Sequence, residues 1–491
     1  MQENNKDMFV VKLPLKTEKW QEDILNRRFE YCEEIYNDMN SKMLKTFFYY
    51  KNFKEWKEIE ECTNKSKKTT LIKNFIKKYN LPFSPFGFNS FVGKFNARYR
   101  IYGINAKILQ NLAQNLWRSY DKFLFGEGKK IHYKKKNTLN SYTIGKDSKG
   151  YFNMMNYDLL KSNISINING GKCSNAKFMT IPFIINKKSE YEMNSFSPSN
   201  EIRAIGIQRE FIRGKWKYFV LFTIKGEKPS KGRKIGKGTV GIDLGPSSIA
   251  VSSNYKVYLG VLASEINNVQ FDEKKLRCLQ RKMDRSRRQN NPLQYNDNGT
   301  IRKYPKGERP EWIKSNNYIK LENEIKELYR KKSAKVKLSH NILSNEILTS
   351  GDNFIVENNP IKAWQKGLFG KSVGNRAPGM FIELLKNKVE SFGGTFTNIE
   401  TKNAASQYDF TNGVKTKHEL KERNITLSNG NTHLRDTIAA FNIQHFNGGD
   451  YDVNNMIKNY DKFCSLEEQE IERHKENRRV NGIKPLKSFG I

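Results

Sequence analysis

The sequence predicts a chain of mixed α/β plus α+β class in two parts: an antiparallel β domain interrupted by helices, then an α/β domain. Three observations predict it. The apolar period is helical from about 17 to 125, two-residue from 132 to 225, and then alternates between short strands and helices up to 446. The stretch GEKPSKGRKIGKG (226–238) is rich in Gly, Lys and Pro and poor in apolar residues, which marks a linker. With 491 residues, 37% of them hydrophobic, the chain is long enough for two or three domains with cores of their own.

Residues 8–15 (MFVVKLPL) read as a short strand. An amphipathic helix follows from about Thr17, with Trp20, Ile24, Phe29, Ile35 and Met39 as its core positions. The helical pattern then runs to about Phe125 and is studded with aromatics: Phe47, Phe48, Tyr49, Tyr50, Phe53 and Trp56. Lysine clusters interrupt it, as in KSKK (65–68) and KNFIKKYN (73–80). Basic residues interleaved with aromatics suit a surface that tracks a phosphate backbone and stacks unpaired bases. A helical core with lysines on its wet face accounts for most of these residues one by one, but not for the whole basic excess. Segments 177–185, 201–212 and 215–225 alternate like strands of an antiparallel sheet or small barrel. If strand 8–15 joins that sheet, residues 16–128 are a helical insertion between 1–15 and 129–237.

That basic excess is large. Lys and Arg number 87 and Asp and Glu 51, a formal net charge of +36. Such an imbalance opposes compaction, so a polyanionic partner is expected. No apolar run reaches transmembrane length and no signal-peptide pattern is present, which favours nucleic acid over an acidic membrane surface. The five cysteines (Cys32, Cys62, Cys173, Cys278 and Cys464) are scattered without a CxxC pair, and the six histidines are dispersed. Neither a disulfide framework nor a cysteine zinc site is expected, and the location expected is the bacterial cytoplasm.

The second part, 238–455, opens with GTVGIDLGPSSIAVSS (238–253). Thr239 to Ile242 read as a strand, Gly245 and Pro246 turn the chain, and Ile249 to Val251 run back. Asp243 sits inside the first strand. A carboxylate there is costly unless a metal or cation compensates it; from this stretch alone, a solvent-facing strand-edge aspartate is the better reading. Residues 256–262 supply a third strand. Residues 271–285 form a helix with Leu276, Leu279 and Met283 on one face and Lys274, Arg277, Arg281, Lys282 and Arg285 on the others. The polar stretch 290–310 reads as a mobile loop. The Lys/Glu-dense stretch 312–348 reads as a solvated helical hairpin, so that 271–349 is a helical insertion. DNFIVENN (352–359) is again a buried strand and ends in Glu357. A helix (380–391), a short strand (395–399) and a helix (433–446) carrying Asp436 follow. The charged tail, 456–491, reads as a weakly ordered basic arm.

Three antiparallel strands, a helical stretch, a strand ending in Glu, a helix, a short strand and a helix bearing Asp make the layout of an RNase-H-like sheet. On it Asp243, Glu357 and Asp436 can converge. Phosphodiester hydrolysis needs charge stabilisation on both the attacking and the leaving oxygen, which two Mg²⁺ ions about 4 Å apart supply. Mg²⁺ takes hard oxygen ligands, so carboxylates suffice without His or Cys. For Asp436 the competing reading is a first-turn helix residue favoured by the dipole.

These residues resemble the RuvC-type nuclease of transposon-encoded TnpB proteins and of the compact type V CRISPR effectors related to them. GIDLGPSSIAVSS resembles the first catalytic motif, EKKLRCLQRKMDRSRR (273–288) the basic bridging segment, and FIVEN (354–358) the glutamate motif. PGMFIELLKNKVESFGGTF (378–396) is similar to the helix and strand that follow, and HLRDTIAAFNI (433–443) to the last motif with its Arg-Asp pair. The first part resembles a β-barrel wedge domain interrupted by a helical recognition lobe. The resemblance implies an RNA-guided DNA endonuclease. Its Asp243, Glu357 and Asp436 would hold two Mg²⁺ (Mn²⁺ as substitute), with a guide RNA from a transposon or a CRISPR transcript. Its substrate would be double-stranded DNA beside a short flanking motif. Lys274, Arg277, Arg281, Lys282, Arg285 and Arg435 would contact nucleic acid, in a monomer or homodimer. The alternatives are an RNA-guided DNA-binding repressor without cleavage and a guide-independent, transposition-associated nuclease. Two departures stand out. Family members usually carry a four-cysteine zinc ribbon where 401–431 has no cysteine, and Ile438 stands where Asn is common.

Overall fold

The computed structural model describes residues 8–491 apart from 127, 147–149, 151, 153–154, 172–174, 230–231, 265–272, 306–307, 420, 484 and 486. Cys173 and Phe271, where the sequence places the start of the basic helix, lie outside the described residues. The chain forms two compact units, Met1–Lys231 and Gly232–Ile491.

The first unit comprises β1 (Met8–Pro14), α1 (Lys19–Lys51), α2 (Lys54–Glu61), α3 (Lys65–Lys78), α4 (Pro85–Val92), α5 (Asn96–Tyr99), α6 (Ala106–Leu124), β2 (Ser141–Gly145), β3 (Met155–Asp158), β4 (Asn163–Asn167), β5 (Phe178–Pro182), α7 (Glu190–Ser195), β6 (Glu201–Ile212) and β7 (Lys215–Lys225). In α1 the buried positions are Leu25, Phe29, Cys32, Ile35, Tyr36, Met39, Met43 and Phe47. Continued backward, that period falls on Gln21, not on Trp20. Gln21 is buried and donates to the Thr180 carbonyl at 3.0 Å, whereas Trp20 is 48% exposed. The expectation of Trp20 in the core is therefore corrected by one helical position. Phe47 and Trp56 pack edge-to-face in the core, while Phe48 and Tyr49 remain exposed.

Strand β1 does pair with β7, in a four-stranded antiparallel sheet of order β1-β7-β6-β2. Strands β3, β4 and β5 form a second sheet, linked to the first by a single bridge, Leu15 to Phe183. Among the described residues these pairings leave two sheets and no closed barrel. Residues 183–185, apolar like β5, leave the ladder after that bridge.

The second unit comprises β8 (Thr239–Leu244), β9 (Ser248–Ser253), β10 (Val257–Val261), α8 (Glu273–Asn290), α9 (Asn316–Leu348), β11 (Asn353–Glu357), α10 (Ile361–Lys366), α11 (Gly370–Arg376), α12 (Pro378–Ser391), β12 (Thr395–Ile399), β13 (Tyr408–Asp409), β14 (Val414–Lys415), β15 (Asn424–Thr426), β16 (Thr432–Leu434), α13 (Arg435–Gln444), β17 (Phe446–Asn447), β18 (Asp450–Tyr451) and α14 (Val453–Asn481). Its main sheet has the order β10-β9-β8-β11-β12. The first three strands are antiparallel, while β8–β11 and β11–β12 are parallel. Parallel neighbours require a crossover, and α8–α9 and α12 provide one each.

Period-two alternation gives this sheet two unlike faces. On one, Val240, Ile242, Leu244, Ile249, Val251, Phe354 and Val356 pack on Leu343, Ile347 and Leu348 of α9 and Phe381, Leu385 and Val389 of α12. The stretch 312–348 is therefore one helix whose last third belongs to the core, not a solvated hairpin. The other face carries Gly241, Asp243, Ala250 and Ser252 and lies under α13. A Cβ at Gly241 would overlap the Ala440 carbonyl oxygen and the Gln444 nitrogen, so only glycine allows this approach.

Two further expectations change. The described residues of the 290–310 stretch include a built segment, held by two buried amides. Buried Asn291 donates to the carbonyls of Arg287 and Ile313 at 2.8 and 2.9 Å and accepts from Ile313 N at 2.7 Å. Buried Gln294 accepts from Arg309 Nε at 3.1 Å. Most of the tail, as far as Asn481, belongs to the 29-residue helix α14, anchored by Met456, Phe463, Glu467 and Glu470, rather than to a loose arm.

Where the resembled family usually carries a zinc ribbon, the described residues of 401–434 include two short antiparallel pairs, β13–β14 and β15–β16. Phe410, Ile425 and Leu427 from this region join Phe441, Tyr451, Met456 and Phe463 in an apolar cluster. Asp409 ties its turns together, accepting from Thr411 N at 2.9 Å and from Ser428 N and Oγ at 2.8 Å each. Burial pushes this carboxyl up, but those hydrogen bonds win and hold it below the usual range.

Candidate active site

The parallel register of β8 and β11 pairs Thr239 with Asn353 and Ile242 with Val356. One step further it aligns Asp243 with Glu357, on one face and at the same end of adjacent strands. Strand separation is about 4.8 Å, so two carboxylates are forced into proximity. Asn359, just past β11, fastens this end: its Nδ2 donates to the Leu244 carbonyl at 3.0 Å, and its backbone N–H donates to the Glu357 carbonyl at 2.9 Å. Helix α13 crosses the same face and presents Asp436 in its first turn.

The electrostatics follow from this crowding. Asp243 is packed among protein on most sides while keeping partial solvent access. Burial, then the charges of Asp436 and Glu357, push its carboxyl well above the usual range; Arg435 and the Leu244 N–H pull the other way. Burial raises Glu357 too, against a hydrogen bond from Asn359. Asp436 is raised by burial against the charges of Arg435 and Arg423. Arg435 Nε stands 3.5 Å from Asp436 Oδ1, with both side chains 15% exposed. Three partly buried carboxylates thus share this end of the sheet, and the charges of Asp436 and Glu357 bear on Asp243, a repulsion that an added cation relieves.

An all-oxygen, anionic donor set fits a hard divalent cation in its chemistry. Among the described residues, however, no group of three or more His, Cys, Asp or Glu side chains is drawn together tightly enough to hold a metal ion. The acids share a field rather than a preformed coordination shell.

Lys274, Arg277, Arg281, Lys282 and Arg285 all lie exposed on α8, opposite the buried Leu276 and Leu279. Arg277 is also within 3.5 Å of Glu273. Arg435 belongs instead to the acid cluster. Ile438 is buried among Phe410, Phe441 and Phe463, so position 438 contributes packing and no polar contact. Sequence reading missed Asn359 and Arg423. It also missed the Arg-aromatic cluster at the α8–α9 loop, where Arg287 lies 4.3 Å from the Trp312 ring and Arg288 4.8 Å from that of Tyr295. The signal for the last was Trp312 and Tyr295 beside a run of arginines. Nothing local marks Asn359 or Arg423.

No family model matches the chain, and no curated protein matches it. Among solved structures it is similar to a chain of "Cryo-EM structure of the Cas12f1-sgRNA-target DNA complex", with 15% identity and a TM-score of 0.49, over 89% of this chain and 98% of that one. It is also similar to a chain of "Cryo-EM structure of CRISPR-Cas12f Ternary Complex", with 12% identity and a TM-score of 0.30, over 87% of this chain and 82% of that one. The structural neighbours are thus compact type V CRISPR effector complexes; at these scores the likeness carries no argument about chemistry. No helix among the described residues is long and apolar enough to cross a membrane.

Proposed function

We propose that the protein is an RNA-guided DNA endonuclease whose second unit is an RNase-H-like, RuvC-type nuclease with a single site. The observation that carries the reading is the alignment of Asp243 with Glu357 under the Asp436 end of α13. In a chain of net charge +36, such a concentration of negative charge has a role beyond folding. Asp243, Glu357 and Asp436 would hold Mg²⁺, or Mn²⁺ in its place. When bound, the metal would supply the charge stabilisation that in-line displacement at a phosphodiester needs. Arg435 and Arg423 would orient Asp436, and Asn359 would fix the strand end that bears Glu357. The exposed bases of α8 would track the phosphates of guide or target. The first unit would act as the wedge and recognition lobe, reading a short duplex motif beside the target while guide pairing reads the sequence.

The test is cleavage of matched double-stranded DNA by protein purified with its RNA. Wild type should cut in Mg²⁺, Asp243→Ala should not, and RNase treatment should abolish cutting. Cutting by Asp243→Ala removes these acids from the chemistry, and cutting after RNase treatment selects a guide-independent nuclease. A second reading, an RNA-guided DNA-binding repressor, is favoured by one observation: the acids do not close into a ligating set. Tight binding of matched DNA without nicking in Mg²⁺ or Mn²⁺ selects it.

A further inference from the structure

Helix α13 lacks the cap its position requires. Its N-cap residue is Leu434, which offers no side-chain acceptor. In a capping box an acidic side chain at the third helical position reaches back to the N-cap N–H. Here that position is Thr437, and the acceptor comes from elsewhere. Glu467 of α14 is buried, and its Oε1 accepts from Leu434 N at 3.1 Å and from the Thr437 hydroxyl. The Leu434 carbonyl lies 2.7 Å from the same Thr437 Oγ1, so the two acceptors share its one proton. The second oxygen, Oε2, lies 2.5 Å from Nδ1 of buried His433, whose Nε2 lies 2.6 Å from the Tyr460 hydroxyl. Asn429 and Asn431 donate to that hydroxyl at 3.4 and 3.1 Å. One carboxylate on α14 therefore organises both the last residues of β16 and the first turn of α13, the turn that carries Asp436.

We infer that Glu467 is a positioning residue, a capping carboxylate supplied from α14 that sets where Asp436 stands relative to Asp243 and Glu357. The inference rests on the nuclease reading for its consequence, though not for its geometry. Far from the turn, α13 is held by its contact with Gly241; near it, Arg435 N donates to the Arg423 carbonyl at 2.8 Å and Glu467 closes the other side. A helix held at both ends delivers its first-turn carboxylate at a fixed place. Released at Glu467, the turn frays and Asp436 loses its fixed place relative to Asp243 and Glu357.

Glu470, three residues along α14, is the control. It is equally buried but clamps β10 instead, accepting from Leu259 N at 2.7 Å and from Arg473. Glu467→Gln and Glu470→Gln should be compared with wild type in RNA-bound protein for Mn²⁺ affinity by electron paramagnetic resonance, thermal midpoint and hydrogen exchange. Both variants should lose stability. Only Glu467→Gln should speed exchange across 434–438 and weaken Mn²⁺ binding, by about 10- to 100-fold. Thr437→Val, which removes one donor and keeps the bulk, should move both readouts the same way by less, and serves if Glu467→Gln fails to fold. Wild-type exchange at 434–438 and wild-type Mn²⁺ affinity in a folded Glu467→Gln would overturn the inference. Absence of Mn²⁺ binding in wild type would instead overturn the acid-site reading, and exchange would still decide whether Glu467 clamps the turn.

Discussion

The two faces of the five-stranded sheet are built from the same strands by opposite rules. Toward α9 and α12 every strand offers large apolar residues, and Phe354, Phe381 and Leu385 are fully buried. Toward α13 the two strands directly beneath the helix, β8 and β9, offer Gly241, Ala250 and Ser252, so the helix lies almost against their backbone, while Leu259 of β10 and Ile355 of β11 pack at its flanks. Small residues give up apolar area but allow a close, stiff approach, and they leave room at the strand ends for carboxylates. One face stabilises the sheet; the other holds charges that work against its stability. Buried repulsion of that kind is retained where it serves a function.

The difference can be broken from either side. The largest effect belongs to the acid face: Asp243→Asn should lower DNA cleavage by at least about 10³-fold while leaving guide-RNA binding intact, as single-turnover assays would show. On the apolar face, Phe354→Ala should cost about 3–5 kcal/mol in denaturant unfolding of the second unit. Protein that remains folded should still cut at a rate close to wild type, because no carboxylate moves. Gly241→Ala lies between the two. Overpacking against Ala440 and Gln444 should cost about 1–3 kcal/mol, and cleavage should fall by more than in Phe354→Ala despite the smaller loss of stability, because α13 is pushed off the sheet. Equal cleavage in the two variants would show that the face under α13 has no special role.

Much of this contrast is legible in the sequence, and for a physical reason. Strand alternation is local, so the segments around Asp243, Glu357 and 395–399 and the helix bearing Asp436 are all readable from their own residues. What is not readable depends on distant partners. The 290–310 stretch looks loose because its order comes from Asn291 and Gln294, amides whose partners lie up to 22 residues away. Helix α14 looks like a charged arm because its buried face is sparse and includes two glutamates. Glu467 is indistinguishable from its solvated neighbours until His433, Leu434 and Thr437 are seen around it. In 401–431 the missing cysteines are conspicuous, yet Phe410, Ile425 and Leu427, which fill the core there, are equally present in the sequence.

The smallest expected effect is the most direct measure of what the acid face costs. Asp243 has its native carboxyl raised well above the ordinary 3.8. Between that ordinary value, which the unfolded chain retains, and the raised one, the native state keeps a proton that the unfolded state has lost. Stability therefore falls as pH rises through that window, and the deficit is complete above the raised pKa. Glu357 and Asp436 are raised too and act with the same sign. Removing one charge relieves the repulsion, so metal-free Asp243→Asn should be more stable than wild type at neutral pH. The expected gain is on the order of 1 kcal/mol, or ~2–4 °C in thermal midpoint. The gain should shrink as pH falls toward the ordinary carboxyl value. Added Mg²⁺ should raise the midpoint of wild type and close the gap, while moving Asp243→Asn far less. A variant that is less stable than wild type at every pH would mean that the carboxylate of Asp243 is compensated within the protein, and that the two faces differ in packing alone.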